Sequence, residues 1–231
     1  MLTIFTVPKP FIDEHIKIIQ KNAISSWLRL EPRCEIILVG DEKGVAETAL
    51  EFGIKHLAGI KKNEFGTPIL SDIFNKAQQA ASFDNIAYVN ADIILLNDFV
   101  EAVKLVKENL FVIAGKRWNL DVKEPFLFSE KGWDLALRER ILKEGTLFTF
   151  SAIDYFIFRR GFFKDIPDFA LGRCAWDNWL LYEGRKLGAK LIDATAVITA
   201  IHQNHNYSHT PWAKKGWVGG PEAKKNLRLA E

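Results

Sequence analysis

The chain opens with a run of β-favouring residues over positions 2–7, and after Pro8 and Pro10 the apolar positions Ile12, Ile16, Ile19, Ala23 and Trp27 recur at helical spacing. That pattern predicts a strand followed by an amphipathic helix. Positions 35–39 form a second, nearly continuous apolar strand ending at Gly40-Asp41-Glu42. Residues 45–52 then read as a helix stopped by Gly53. Thr67 and Pro68 have the chemistry of a helix N-cap and first helical position, with Ile69, Ile73, Phe74, Ala77 and Ala80 following on one face. Residues 86–90 predict a strand, Asp98 opens a helix through Val100, Val103 and Val106, and residues 110–114 return as a strand. Strands alternating with helices in this way predict a parallel sheet covered by helices.

Beyond residue 115 the pattern continues with a different composition. Residues 133–142 read as a helix, 153–158 as a strand of aromatic and β-branched residues, and 177–187 as a helix closed by Gly188. Residues 190–202 supply further strand material. Six of the seven Trp lie between Trp118 and Trp217, and three of the five His lie between His202 and His209, so the character of the chain shifts near residue 116. The tail, residues 210–231, places Gly216, Gly219, Gly220 and Pro221 among Lys214, Lys215, Lys224 and Lys225 and reads as a mobile basic loop. The expected organisation is one domain over 1–231, with halves at 1–115 and 116–209 and a C-terminal tail at 210–231.

With 48% hydrophobic and 26% charged residues, 231 residues suffice for one full core. The 31 basic and 29 acidic side chains nearly cancel, which excludes an electrostatic case for a nucleic-acid partner. Two distant thiols, Cys34 and Cys174, fit a reducing compartment better than a disulfide scaffold. No run approaches the ~20 apolar residues of a membrane span, and the N-terminal MLTIFTVPKPF lacks a basic region followed by a long apolar stretch. A cytoplasmic protein, at most peripheral to a membrane, is expected. Oligomeric state is not encoded in any pattern here.

No G-x-G-x-x-G follows a predicted strand, and no phosphate loop of the G-x-x-x-x-G-K-[ST] type occurs. A G-x-S-x-G elbow, an H-E-x-x-H helix and paired C-x-x-C motifs are also missing. What stands out is Asn90-Ala91-Asp92 in YVNADIILLNDF. If the strand continues through it, Asn90 and Asp92 project to one face at the carboxyl end of the sheet. A carboxylate there suits a hard divalent cation that also binds phosphate oxygens. Asp92 reads equally well as a turn carboxylate just past a strand.

The triplet is joined downstream by Trp176-Asp177-Asn178-Trp179-Leu180, then Arg185-Lys186-Leu187-Gly188-Ala189-Lys190-Leu191, then a strand ending at His202. In that order the elements resemble nucleotide-sugar glycosyltransferases of the GT-A fold: a D-x-D-like triplet, an E-D element at a helix start, an R-x-x-G turn and a C-terminal histidine. The resemblance spans residues 2–209. Trp176 stands where many members have Glu, and Asn90 replaces the first Asp of the commoner triplet.

The resemblance implies an α/β, Rossmann-related three-layer sandwich with a mostly parallel central sheet, 1–115 being the nucleotide-donor half and 116–209 the acceptor half. It implies a metal-dependent transferase moving a sugar from a UDP- or GDP-linked donor to an acceptor hydroxyl, with Mn2+ or Mg2+ as cofactor. Asp92 would bind the ion with His202, and His205 stands second. Thr6, Val7, Pro8, Asp41, Asn63, Gly66, Asn90, Ala91 and Asp92 are the expected donor contacts. Asp177 would be the general base of an inverting reaction, Asp154 the reserve candidate, and Trp176 and Trp179 the acceptor surface. From their composition, Lys214, Lys215 and the glycines after them read either as a lid over the diphosphate or as a frayed, solvated C-terminus.

Plainer readings accompany each. Asp177 is a good helix-start residue, Asp41 and Thr67 suit turns and caps, and both Trp residues suit a core. His202, His205 and His209 at i, i+3 and i+7 would bind zinc on a helix, although residues 196–201 favour a strand. Two alternative functions remain: a sugar-nucleotide nucleotidyltransferase, and a non-catalytic sugar-binding or interaction module.

Overall fold

The structure, a computed structural model, describes residues 1–205 and 219–231. The elements in chain order begin β1 (Leu2–Thr6), α1 (Glu14–Trp27), β2 (Glu35–Val39), α2 (Val45–Phe52), β3 (Lys55–Leu57) and α3 (Leu70–Ala80). They continue with β4 (Asn85–Val89), β5 (Ile93–Leu95), α4 (Asp98–Leu105), β6 (Phe111–Ala114), β7 (Trp118–Leu120) and α5 (Trp133–Glu144). Then come β8 (Thr146–Leu147), β9 (Tyr155–Arg159), α6 (Trp176–Lys186), β10 (Lys190–Asp193), β11 (Ala200–Gln203) and α7 (Pro221–Leu229).

Seven strands form the main sheet in the order β10-β6-β9-β4-β1-β2-β3. All pairs are parallel except those made by β9, which runs antiparallel to β4 and β6. Each strand divides its side chains between two helical layers. Ile36 and Leu38, Ala87 and Val89, and Tyr155 and Ile157 pack with Trp27 of α1, Ala49 of α2 and Phe99 of α4. Their neighbours Ile37, Val39, Ile86, Tyr88, Phe156 and Phe158 face Phe74 of α3 and Leu180 of α6. This two-sided burial explains why the strands read as continuous apolar runs rather than as alternation. The expected three-layer α/β sandwich is the one found. A second sheet, ordered β5-β11-β7-β8, packs Ile94, Leu120 and Ile201 against Leu137 and Ile141 of α5.

Several local expectations shift. Helix α1 starts at Glu14 because Asp13 accepts the Ile16 N–H at 2.9 Å, which leaves Ile12 outside the helix and exposed. Thr67 and Pro68 do not start α3. Pro68 is drawn into a bridge with Lys62 and accepts the Leu171 N–H at 3.0 Å, so the helix begins two residues later, at Leu70. Strand β3, Lys-His-Leu at the sheet edge, carries too little apolar signal to be visible, and the two- and three-residue strands β5, β7 and β8 are shorter than any periodicity can register. The tail differs most. Residues 221–229 form α7 rather than a loop, because Pro221 fits the first turn and buried Asn226 bonds the Ala170 N–H and the carbonyls of Ala170 and Cys174. His209, Lys214, Lys215 and Gly216 lie outside the described residues. Among the described residues no helix is long and apolar enough to cross a membrane.

The edge of the main sheet is tied by Glu35. Its carboxylate accepts from Thr3 Oγ1 on β1 at 2.6 Å, from Lys55 Nζ on β3 at 2.8 Å, and from the Ser82 N–H and hydroxyl before β4. Burial alone would raise its pKa, but the bonds from Lys55, Thr3 and Ser82 prevail and lower it to about 2. With the folded value below the unfolded one, the stabilisation is complete above the unfolded value and disappears as pH falls through about 2. Glu35→Gln is expected to lose about 1–2 kcal/mol at neutral pH, part of the charge-assisted contribution being screened by solvent. Urea unfolding between pH 7 and pH 2 should show wild type and variant converging toward the acid end.

Candidate active site

The chain leaves the main sheet at Val89 and enters the second at Ile93, so Asn90-Ala91-Asp92 is a turn between sheets, closed by the Ile93 N–H donating to the Asn90 carbonyl at 3.1 Å. Strand alternation therefore does not govern these residues. Asn90 faces away from Asp92's partners: its Oδ1 accepts from Tyr88 Oη at 2.9 Å and its Nδ2 donates to Asp154 Oδ1 at 2.7 Å. Ala91 is buried in the turn.

Asp92 is placed by β11. In the antiparallel β5–β11 pair His202 stands opposite Ile93, and Gln203 donates to the Asp92 carbonyl through both its N–H, at 3.3 Å, and its Nε2, at 3.0 Å. The register brings His202 and, just past the strand, His205 to the acid. Asp92 Oδ2 lies 3.0 Å from His205 Nε2 and 3.9 Å from His202 Nε2. One ligand atom from each of the three residues lies within 4.8 Å of the others. Asp92 Oδ1 and His202 Nδ1 are buried without a hydrogen-bond partner among the described residues. The set fits a divalent cation. Burial opposes the Asp92 charge, but His202, His205 and Lys9 hold its carboxyl well below the usual range. Burial lowers the His202 imidazole, partly opposed by Asp92, which favours the neutral, ligating form.

Beside this cluster Asp154 and Arg117 form an almost fully buried ion pair, Arg117 Nη1 donating to both carboxylate oxygens at 2.6 Å. Arg117 also packs over Phe148, 4.8 Å from the ring centroid. Asp154, the reserve candidate for the base, thus has its carboxylate engaged by a guanidinium and by Asn90, contacts that oppose acceptance of a proton. Neither Arg117 nor the approach of Lys9 to this cluster was signalled by any sequence pattern.

Asp177 lies in the first turn of α6. Its Oδ1 accepts the Asn178 N–H at 2.9 Å. Burial raises its pKa against the lowering effect of the backbone amides of Asn178 and Ile153, and Asp154 adds to the rise. That is the direction a general base requires. Ala175, just ahead of the helix, has φ 81°, a left-handed backbone unusual for an L side chain. Trp176, expected to face an acceptor, instead packs edge-on against Tyr88 at 5.5 Å and beside Phe156 at 5.9 Å, and is buried. Trp179 rests half-buried on Phe169. Their bulk anchors α6 in the core.

The other expected donor contacts divide. Thr6 is buried, its Oγ1 without a partner among the described residues, Val7 is half-buried and Pro8 buried, all at the carboxyl end of β1. Asp41 is engaged by the chain after β3, accepting the Gly59 and Ile60 N–H groups, which with Gly59 foremost hold its pKa low. Asn63 organises its own turn. Its Oδ1 accepts the N–H groups of Phe65 and Thr67 while Gly66 adopts φ 80°. Asn63 also donates to Glu222 of α7, which Arg173 grips at 2.7 and 2.9 Å. At the start of α3 the Leu70 N–H donates to the Phe169 carbonyl.

No family model and no curated protein sequence matches the chain. Solved structures do match. The chain superposes on S. aureus TarS 1-349 in complex with UDP-GlcNAc with a TM-score of 0.60 and 15% identity, over 100% of this chain and 65% of that one. The mannosyltransferase PcManGT from Pyrobaculum calidifontis in complex with GDP-Man and Mn2+ gives 0.54 and 13%, over 99% and 68%. Glucosyl-3-phosphoglycerate synthase from Mycobacterium tuberculosis, with Mn2+, UDP and phosphoglyceric acid, gives 0.54 and 14%, over 99% and 76%. The chain spans only 60% of TarS 1-349 in another crystal structure of that fragment. At such identities the likeness establishes the fold, which is the GT-A type shared by these nucleotide-sugar transferases.

Two stability predictions follow from this geometry. Ala175→Gly should stabilise by about 1 kcal/mol, since glycine adopts positive φ without a Cβ clash, and thermal unfolding would register it. Arg117→Met should destabilise by about 3–5 kcal/mol by stranding the buried Asp154 carboxylate, whereas adding Asp154→Leu should recover most of the loss in a urea titration.

Proposed function

We propose that this protein is a glycosyltransferase that moves a sugar from a nucleoside diphosphate donor to an acceptor hydroxyl, using a divalent cation held by Asp92, His202 and His205. The single observation that carries the reading is the convergence of that acid and two imidazoles within 4.8 Å, at the turn where a GT-A sheet hands over to its second sheet. When bound, the cation supplies positive charge for the departing diphosphate. Two imidazoles with one carboxylate suit a first-row transition ion such as Mn2+ better than Mg2+, which prefers oxygen ligands and retained waters. The neighbours crystallised with Mn2+ and a UDP or GDP species support the same chemistry.

The protein's residues divide the remaining work. The carboxyl end of β1, with Thr6, Val7 and Pro8, forms one wall of the donor site. Asn90 fixes the turn that presents Asp92, and the Arg117–Asp154 pair keeps Asn90 in place. Asp177 accepts the acceptor's proton as the oxygen attacks the anomeric carbon. Its raised pKa makes it a stronger base than an exposed carboxylate, and direct displacement from the face opposite the diphosphate inverts the configuration. Residues 116–209, apart from His202 and His205, form the acceptor side.

Isothermal titration of UDP and GDP in the presence of Mn2+ should show saturable binding that chelation with EDTA abolishes. Asp92→Asn and His202→Ala should weaken nucleotide binding by about 10- to 100-fold, the usual cost of losing a metal ligand or its support. Asp177→Asn should bind donor normally yet lose about 100-fold or more in transfer rate. Full transfer activity in that variant would remove Asp177 as the base, and absence of nucleotide binding in wild type would remove the transferase reading.

A further inference from the structure

A cationic side chain stands against the proposed metal ligands, and the reaction described above gives it no part. Lys9 Nζ lies 3.2 Å from His205 Nε2, the same nitrogen that is 3.0 Å from Asp92 Oδ2. A lysine near a surface normally extends its ammonium into water. This one is half-buried with its Nζ directed at His205, and its backbone is held independently of its side chain. Pro8 and Pro10 flank it, each with a ring-fixed φ. Gln20, buried on α1, clasps the Lys9 peptide from both sides: the Lys9 N–H donates to Gln20 Oε1 at 2.6 Å and Gln20 Nε2 donates to the Lys9 carbonyl at 3.0 Å. Two prolines and a two-point clamp are more than a solvent-exposed lysine needs.

We infer that Lys9 is a resident counter-cation of the donor site, balancing Asp92 before a divalent ion binds and swinging its side-chain ammonium toward the donor's diphosphate afterwards. The inference rests on the reading of Asp92, His202 and His205 as cation ligands. A dication seated among those ligands would lie a few ångströms from the ammonium, and like charges so close in a partly buried site repel far beyond thermal energy. Lysine's flexible four-carbon stem lets the ammonium withdraw while the clamped backbone stays fixed. The nearest strong anion would then be the diphosphate held by the same ion, to which an ammonium donates charge-assisted hydrogen bonds. Lys9 thereby opposes the ion alone and favours the ion together with diphosphate, coupling the two binding events.

The coupling gives one substitution two effects of opposite sign. Lys9→Met keeps the chain length and leaves the backbone clamp untouched, while Lys9→Arg keeps the charge. With Mn2+ alone, followed by electron paramagnetic resonance, Lys9→Met should bind about tenfold or more tightly than wild type, and Lys9→Arg should not gain. With Mn2+ saturating and inorganic pyrophosphate as the probe, Lys9→Met should bind roughly 10- to 100-fold more weakly than wild type by calorimetry. Equal Mn2+ affinity in wild type, Lys9→Arg and Lys9→Met would overturn the inference while leaving the cation site intact, provided Asp92→Asn abolishes Mn2+ binding. Failure of every variant and of wild type to bind Mn2+ would overturn the cation reading, and this inference with it. Unchanged pyrophosphate binding in Lys9→Met would overturn its diphosphate half.

Discussion

The structure depends on how the chain crosses from one sheet to another at residues 90–92. A backbone leaving a buried strand carries donors and acceptors that must find partners, because an unpaired buried peptide group costs about as much as a lost hydrogen bond. Here Gln203 meets most of that need. Fully buried, it bonds the Asp92 carbonyl through backbone and side chain, donates to the Ile19 carbonyl at 2.7 Å and accepts from Asn22 Nδ2 at 3.0 Å. One amide thus ties the turn, β11 and α1 together. Trp27 and Ser26 add to it, the indole donating to the Ile93 carbonyl and the hydroxyl accepting the Leu95 N–H. With the main chain so held, the Asp92 carboxylate has little choice of direction.

The same economy runs through the polar interior beside it. Tyr88, Asn90, Asp154 and Arg117 form a chain of hydrogen bonds in which each buried group is matched by the next. Such a network contributes little net stability over an apolar replacement, since desolvating the charges offsets their attraction. Its value lies in geometry. It sets the end of β4 relative to β9, and therefore sets the turn carrying Asp92 relative to the segment leading to α6 and Asp177. Trp176, wedged between Tyr88 and Phe156, fixes the same relation from the apolar side. The proposed metal ligands and the proposed base are thus referred to a common frame, though Asp92 and Asp177 stand 85 residues apart in sequence (177 − 92).

Much of this was legible before the structure. Strands β1 and β2 and helices α1 and α2 follow from apolar runs and, for α2, from Gly53 as its stop signal, because two-sided burial and helical amphipathicity leave strong periodic marks. The edge and bridging strands β3, β5, β7 and β8 left none, being only two or three residues long. Thr67-Pro68 misled because bridges to Lys62 and Ala170 compete for the same backbone that would begin a helix. Helix α7 was hidden in a basic, glycine-flanked tail whose stability comes from Asn226 and Glu222 reaching distant partners. Trp176 illustrates the general difficulty: an aromatic beside a candidate base reads as a binding surface or as core, and only its contacts decide.

By itself the sequence determined the layered α/β order and the chemical types available for a site: an acid after the fourth main-sheet strand, histidines near the end, and an acid opening a late helix. Those are local properties, carried by periodicity and by residue chemistry. Tertiary structure decided which of them meet. Asp92 and His202 stand 110 residues apart (202 − 92), and only the antiparallel register of β5 with β11 sets His202 opposite Ile93 and brings the imidazole to the acid. It also decided that Asn90 turns toward Tyr88 and Asp154, that Asp41 closes a turn, and that Lys9 directs its Nζ at His205. Register and side-chain direction are set by packing between segments remote in sequence, and no local pattern encodes them.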